Sequence, residues 1–466
     1  MSTQPHGNAA SGAAGAGAPT LDDEPGRTAG TTTTGTTTTA TTGTGRRALG
    51  GRFTALLTST AFANLGDGVV QTGAPLIAIT LTRSPAQVSL LTAAAWLPWL
   101  VLGIPGGALV DRVDRRHAQM TALLARTALL AAAAALAATG HLTMPVLVGL
   151  VLVYGVTAIV AELGEAAIVP DLVPRDRLAA ANGRVLATQQ VANSFFGAPV
   201  AGLLVSLGAG YVFGIPAALA VAAVALLLLG VRGSFRHAAA PGAAARRTAF
   251  GEVRDGLSFL LRHPVMRPML IAGSLFNMGS TAYTAVLVLW MVGPGSRMGL
   301  QPEHFTLLVT LMAVGAVAGS IVAERVIDRV GEVRLLGATF LTDALLLLVP
   351  LLAPSPAPVA AALLVMGATG NVGNVITQSV RQRMTPKRML GRITGASRTV
   401  SYGLMPLGAI VGGAVGQSFG LPAALLAGTA LCVISFGVVA ALVRQRDVDA
   451  HELADEDEAL SPAAGA

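Results

Sequence analysis

The chain has 466 residues, 53% of them apolar and only 12% charged, with a formal net charge of +7; a soluble domain carries roughly twice that charged share. The apolar stock would furnish about twelve membrane spans of about 20 residues each, which excludes an ordinary soluble enzyme, a disordered chain and a disulfide-stapled secreted domain. A lone cysteine, Cys432, leaves no internal disulfide and no Cys-rich metal site, so neither a cofactor nor a metal is expected.

Residues 1–52 are rich in Gly, Ala and Thr, with the runs Thr31–Thr34 and Thr36–Thr39. They lack the apolar mass for a core and the apolar run of a secretory signal, and read as a disordered cytoplasmic tail. Apolar stretches of helical length follow near 54–82, 86–109, 118–140, 144–168, 181–207 and 210–231. After a polar gap, six more come near 266–291, 304–324, 335–353, 357–380, 391–417 and 421–443. The gap, 232–265, reads as a cytoplasmic linker between an amino-terminal bundle, 53–231, and a carboxy-terminal bundle, 266–443. Residues 444–466 form an acidic cytoplasmic tail with Asp455, Glu456, Asp457 and Glu458. The predicted fold is therefore an all-α integral membrane protein with twelve transmembrane helices in two pseudo-symmetric six-helix bundles.

The loops after the even-numbered spans carry nearly all the Arg of the span region, whereas the alternate loops hold only Arg83 and Arg297. Positive charge accumulates on the cytoplasmic side. Both termini are thus expected inside a multi-pass cytoplasmic-membrane protein. The basic balance is explained by this placement, and nucleic acid is not an expected partner.

The two halves read as repeats. The second span ends in Gly107-Ala-Leu-Val-Asp111-Arg112-Val-Asp114-Arg115-Arg116, and the eighth in Ala323-Glu324-Arg325-Val-Ile-Asp328-Arg329-Val-Gly331. Val173-Pro174-Arg175 after the fourth span is echoed by Thr385-Pro386-Lys387-Arg388 after the tenth. Duplicated six-helix units are a common way to build a central transport site between two rocking halves.

The run Asp111-Arg112-Val113-Asp114-Arg115-Arg116 resembles the signature loop of the major facilitator superfamily, with Asp114 where a second glycine is usual. Asn64-Leu65-Gly66-Asp67 and Pro170-Asp171-Leu172-Val173-Pro174-Arg175 are similar to its twelve-helix drug and siderophore efflux branch, which includes macrolide and enterobactin exporters. Gly197-Ala198-Pro199-Val200-Ala201-Gly202 resembles the antiporter kink motif, and Pro406 stands at a comparable place in span eleven. Proline removes a helix donor and bends the backbone, while glycine lets helices approach. The resemblance implies that Gly107, Asp111, Arg112, Arg115, Arg116, Asp328 and Arg329 form a cytoplasmic gate that latches the halves. Many proton antiporters of the superfamily carry an Arg in span four; here none falls between 144 and 168.

Ionisable groups inside a span are costly and mark function by default. Asp67 lies about midway along span one, and is a candidate proton carrier or partner for a cationic substrate. Asp343 and Arg126 occupy roughly equivalent places in the two repeats, without being expected to touch; Arg126 has the alternative of snorkelling to the cytoplasmic side. Glu162 and Glu165 share one face of span four, either as a gate pair with Arg112 or Arg392 or as proton-coupling groups. Gln71, Gln189, Gln190, Asn193, Asn277, Asn371, Asn374 and Gln378 are candidate cavity linings, and Trp96 and Trp99 candidate stacking groups.

There is no phosphate-binding loop and no metal-ligand spacing, so the chain is not expected to be an enzyme. The resemblance implies a secondary transporter that exports a small, partly lipophilic compound, drug-like or siderophore-like, against inward proton movement. Its expected partners are a small-molecule substrate, protons and the lipid bilayer, with the chain acting as a monomer. An importer or lipid flippase on the same scaffold, a non-transporting receptor and a channel are the alternatives.

Overall fold

The computed structural model describes residues 50–102, 114–231, 249–386 and 389–450. The first bundle contains α1 (Gly51–Leu81), α2 (Pro85–Leu102), α3 (Arg115–Ala138), α4 (Met144–Leu172), α5 (Leu178–Leu207) and α6 (Ala209–Gly230). A short helix, α7 (Ala249–Arg262), precedes the second bundle. That bundle contains α8 (Met266–Met291), α9 (Pro302–Val330), α10 (Glu332–Leu352), α11 (Pro356–Arg383), α12 (Leu390–Phe419) and α13 (Leu421–Leu442). Eleven of these helices are long and apolar enough to cross a bilayer. The remaining long one, α1, has 31 residues but is diluted by Asn64, Asp67 and Gln71.

Local chemistry sets the helix limits. Asp114 caps α3, its Oδ1 accepting from the backbone N–H of Arg116 at 3.0 Å and of His117 at 3.3 Å. The aspartate standing at the usual glycine position of the signature loop thus starts a helix. Gly331 (φ 86°) and Gly420 (φ 87°) make the tight joints after α9 and before α13, in backbone conformations that a side chain strains.

In the first bundle α1 and α3 pack on α6, and α2 and α3 pack on α4; in the second, α8 packs on α13 and α9 on α11. The bundles meet where α2 crosses α12 and α5 crosses α9. Large apolar side chains such as Leu203, Leu229, Ile321 and Phe419 remain exposed, as expected for a surface solvated by lipid. This is the twelve-span, two-bundle architecture expected from the hydropathy pattern.

Close approach depends on small residues. A Cβ on Gly315 would lie 1.9 Å from the Leu364 carbonyl oxygen, and one on Gly367 would lie 1.9 Å from that of Met312. The α9–α11 contact is therefore backbone on backbone, the packing that small residues permit in membranes. Gly315→Ala is expected to destabilise the protein by about 1–3 kcal/mol through overpacking, read as a lower thermal transition in detergent. An unchanged transition would mean that α9 and α11 separate easily.

One element differs from the sequence reading. The expected linker contains α7, whose Val253, Leu257 and Leu260 recur at helical spacing. They join the apolar cluster beneath the second bundle, where Leu260 is only 2% exposed. The helix forms because that stripe finds a buried partner surface. Residues 1–49, 232–248 and 451–466 lie outside the described part, as do Gly107, Asp111 and Arg112 of the signature loop.

Candidate functional site

Thr60, Asn64, Asp67 and Gln71 are spaced four, three and four residues apart, which aligns them along one face of α1. All four line a cavity of about 340 Å³. The rest of its wall comes from α2, α3, α4, α5 and α12. The lining residues fall mostly in the stretches of these helices nearer the end of the bundle that carries Gly51 and Leu442, here termed the terminal end. At the opposite, distal end the bundles are tied together. Arg83 donates to the Val292 carbonyl at 2.9 Å, and Ser84 donates to Gln417 Oε1 at 2.8 Å. Gly413 lies against Ser89 and Gly202 against Thr306, each without room for a Cβ.

Asp67 is the centre of a three-helix cluster. Its Oδ1 accepts from the Arg126 guanidinium of α3 at 2.6 Å and from the Tyr154 hydroxyl of α4. The guanidinium carbon also lies 4.9 Å from the centre of the Tyr154 ring, within the range of a cation–π contact. The Arg126 side chain is 3% exposed and that of Asp67 15%. Arg126 is therefore held inside the bundle by an ion pair; it does not snorkel to the end of α3.

A second group sits beside the first. Glu165 is buried and accepts from the Thr60 hydroxyl at 2.7 Å and from the Gln189 amide at 3.5 Å. Glu162, one turn away, lines the same cavity as Arg398 of α12. Gln119 of α3 is 3% exposed, and its Oε1 has no hydrogen-bond partner among the described residues. Trp96 and Trp99 flank the Tyr402 ring, with centroids 5.7 and 6.0 Å away. A neighbouring cavity of about 380 Å³ shares Gln71 and Asn193 with the first and is closed on its other side by α9 and α11, including Asn371 and Asn374.

The other sequence candidates fall elsewhere. Asp343 is buried in the second bundle and accepts from Thr369; it forms no contact with Arg126. Arg115 donates to the Ala167 carbonyl at 3.0 Å and approaches Asp171, while Arg116 reaches the Leu228 carbonyl at 3.5 Å. Both arginines thus meet the carboxy-terminal ends of α4 and α6, where a cation is favoured. Asp328 and Arg329 are exposed at the end of α9. Gly197 closes a seven-residue π-helical turn, Val191–Gly197, two residues before Pro199. Proline cannot donate to the Phe195 carbonyl, which accounts for a disturbed ladder there. Gly202 is the contact with Thr306 already noted. Pro406 opens the second segment of α12, after a break at Leu404. Asn277 and Gln378 line neither cavity.

Sequence reasoning missed Tyr154, Gln119, Arg398 and Tyr402. Arg398 had a usable signal, being an arginine within a span. The 60/64/67/71 stripe had one too, a helical period of polar residues. Among the described residues no group of three or more His, Cys, Asp or Glu side chains is placed to hold a metal.

The chain matches other proteins over most of its length. The family model described as transmembrane secretion effector covers residues 50–464. An uncharacterised MFS-type transporter, y4rN of Sinorhizobium fredii, is 26% identical over 375 residues, 78% of this chain and 88% of that one. The multidrug efflux pump Tap of Mycobacterium tuberculosis is 26% identical over 440 residues, 88% of this chain and 97% of that one. Among solved structures, the nucleoside transporter NupG superposes with a TM-score of 0.66 at 12% identity, over 84% of this chain and 98% of that one. A bacterial homologue of the lysosomal transporter Spinster, inward-facing and unoccupied, gives 0.63 at 16% identity, over 88% and 98%. At those identities the structural likeness concerns the fold alone.

Proposed function

Because the chain belongs to the transmembrane secretion effector family of major facilitator transporters, and is thus a multi-pass membrane transporter and not an enzyme, we propose that it exports a small, partly lipophilic compound in exchange for protons. The observation that carries this reading is an acid in the wall of a cavity between the helices, paired with one buried cation. The 26% identity to a multidrug efflux pump supports the direction of transport.

The geometry offers a coupling route. A proton on Asp67 cancels the charge to which Arg126 is bonded. The guanidinium stays charged and then needs another acceptor; Glu165 lines the same cavity. That handover alters the contacts among α1, α3 and α4. A ligand that binds one conformer better shifts the balance between two states.

In this reading the terminal end is cytoplasmic, following the basic loops, and the cavity faces inward while the distal ties close the outer side. The bundles, 53–231 and 266–443, rock about α2–α12 and α5–α9, with Pro199 and Pro406 as bending points. The loop around Asp111 and Arg112, with Asp328 and Arg329, latches the cytoplasmic side in the outward-open state. The protein acts as a monomer in the cell membrane.

A susceptibility profile of a deletion strain against an overexpressor supplies the compound. Everted vesicles then test the mechanism. The parent is expected to accumulate the compound when the vesicle lumen is acidified. Asp67→Asn is expected to abolish that accumulation while leaving the protein folded, since the amide oxygen still accepts from Arg126 and Tyr154. Undiminished accumulation in Asp67→Asn would remove Asp67 from the coupling step, and accumulation in right-side-out vesicles alone would make the protein an importer.

A further inference from the structure

The first cavity contains an imbalance that the Asp67–Arg126 pair leaves in place. Its ionisable lining comprises Asp67, Glu162 and Glu165 against Arg126 and Arg398. Asp67 is taken by Arg126. Arg398 and Glu162 stand in the same wall. Glu165 then has, among the described residues, neutral donors only, Thr60 and Gln189. Beside it, the Gln119 β-carbon packs on Gly164, at 3.1 Å from where a Cβ there would lie, and the buried Gln119 Oε1 has no donor among the described residues. A buried acceptor without a partner is costly, and Gln119 belongs to the same cavity wall as the carboxylates.

We propose that Glu165, Glu162 and Gln119 form a binding site for the protonated amino group of a substrate, a monocation carrying N–H bonds, with Trp96, Trp99 and Tyr402 receiving its apolar body. This deepens the export reading by naming a substrate class and rests on it. One positive charge balances the lining. An ammonium N–H supplies the donor that Gln119 Oε1 lacks, and a second N–H reaches Glu165. A quaternary ammonium brings the same charge and gains from the aromatic faces, but leaves the Gln119 oxygen bare. A bare metal ion is the poorer fit, because about 340 Å³ bounded by three aromatic rings is far larger than an ion requires. A proton is the natural competitor, since a protonated Glu165 would itself donate an O–H to the site.

The test uses purified full-length protein in detergent with Trp290→Phe, so that fluorescence reports on Trp96 and Trp99. It is titrated with 3-phenylpropylammonium and with the N,N,N-trimethyl form of the same amine. The ammonium is expected to bind about tenfold more tightly, the cost of one buried acceptor left unpaired. Gln119→Met is expected to weaken the ammonium by a similar factor and leave the trimethyl form unchanged; the second titration shows that the variant is folded. Equal affinities in the parent, or a preference that survives Gln119→Met, would overturn the inference. So would displacement of the ammonium by millimolar sodium but not by choline, which would make this a sodium site. Failure of this test with proton-driven export intact sinks the amine site alone, whereas selective binding by a protein that moves nothing in vesicles sinks the export reading alone.

Discussion

Asp67→Leu is expected to destabilise the protein by about 3–5 kcal/mol, and Asp67→Leu combined with Arg126→Leu to recover most of that loss. The single change strands a guanidinium that is only 3% exposed, and removes the acceptor of the Tyr154 hydroxyl. Its Nε already lacks a partner, so no spare acceptor stands ready at that nitrogen. The double change replaces a buried ion pair with apolar volume, an exchange often neutral or favourable to stability. Thermal unfolding in detergent measures both. Proton-driven transport is expected to be lost in both variants, because neither retains the titratable group. A double variant no more stable than the single would show that the pair is held by something other than mutual neutralisation. A double variant that still couples would place the proton elsewhere, with Glu165 and Asp343 as the next buried acids to test.

The second large effect is expected at the distal end. Gly413→Leu would drive a side chain into Ser89 and the Pro85 carbonyl, where even a Cβ would lie 1.7 Å from the serine hydroxyl. Gly202→Leu would do the same against Thr306 and the Glu303 backbone, at 2.2 and 3.0 Å. Each wedge separates α2 from α12, or α5 from α9, while the packing inside each bundle is untouched. Overpacking costs about 1–3 kcal/mol, and a penalty borne by the closed state alone shifts a two-state ratio by roughly 5–150-fold. A cysteine at Thr72, in a Cys432→Ala background, reports the result. Labelling by an impermeant maleimide from the face bearing residues 82–84 is expected to rise with either wedge and to stay low in the parent. Equal labelling of a folded wedge variant and its parent would show that the distal contacts are not a gate. Arg83 belongs to the same device. Counted along the chain it is an exception to the basic-loop asymmetry; in the fold its guanidinium bonds the Val292 carbonyl across the two bundles.

Much of this protein is legible from composition and period alone. The number of spans, their approximate limits and the duplication follow from hydropathy, because a bilayer imposes the same length on every helix whatever its neighbours are. That Asp67, Arg126, Asp343, Glu162 and Glu165 lie inside spans follows from the same reading. What those groups face does not. Asp67 and Arg126 are 59 residues apart and Asp67 and Tyr154 are 87 apart, so their meeting depends on how three helices are rotated about their own axes. Hydropathy leaves that rotation open, and interhelical packing decides it. Arg126 and Asp343 hold similar places along α3 and α10, yet among the described residues only the former forms an ion pair. The helical stretch in the linker, the orphaned oxygen of Gln119 and the glycine contacts between bundles are likewise settled by tertiary structure. Each is a property of two surfaces brought together, and the chain read one residue at a time carries only one of them.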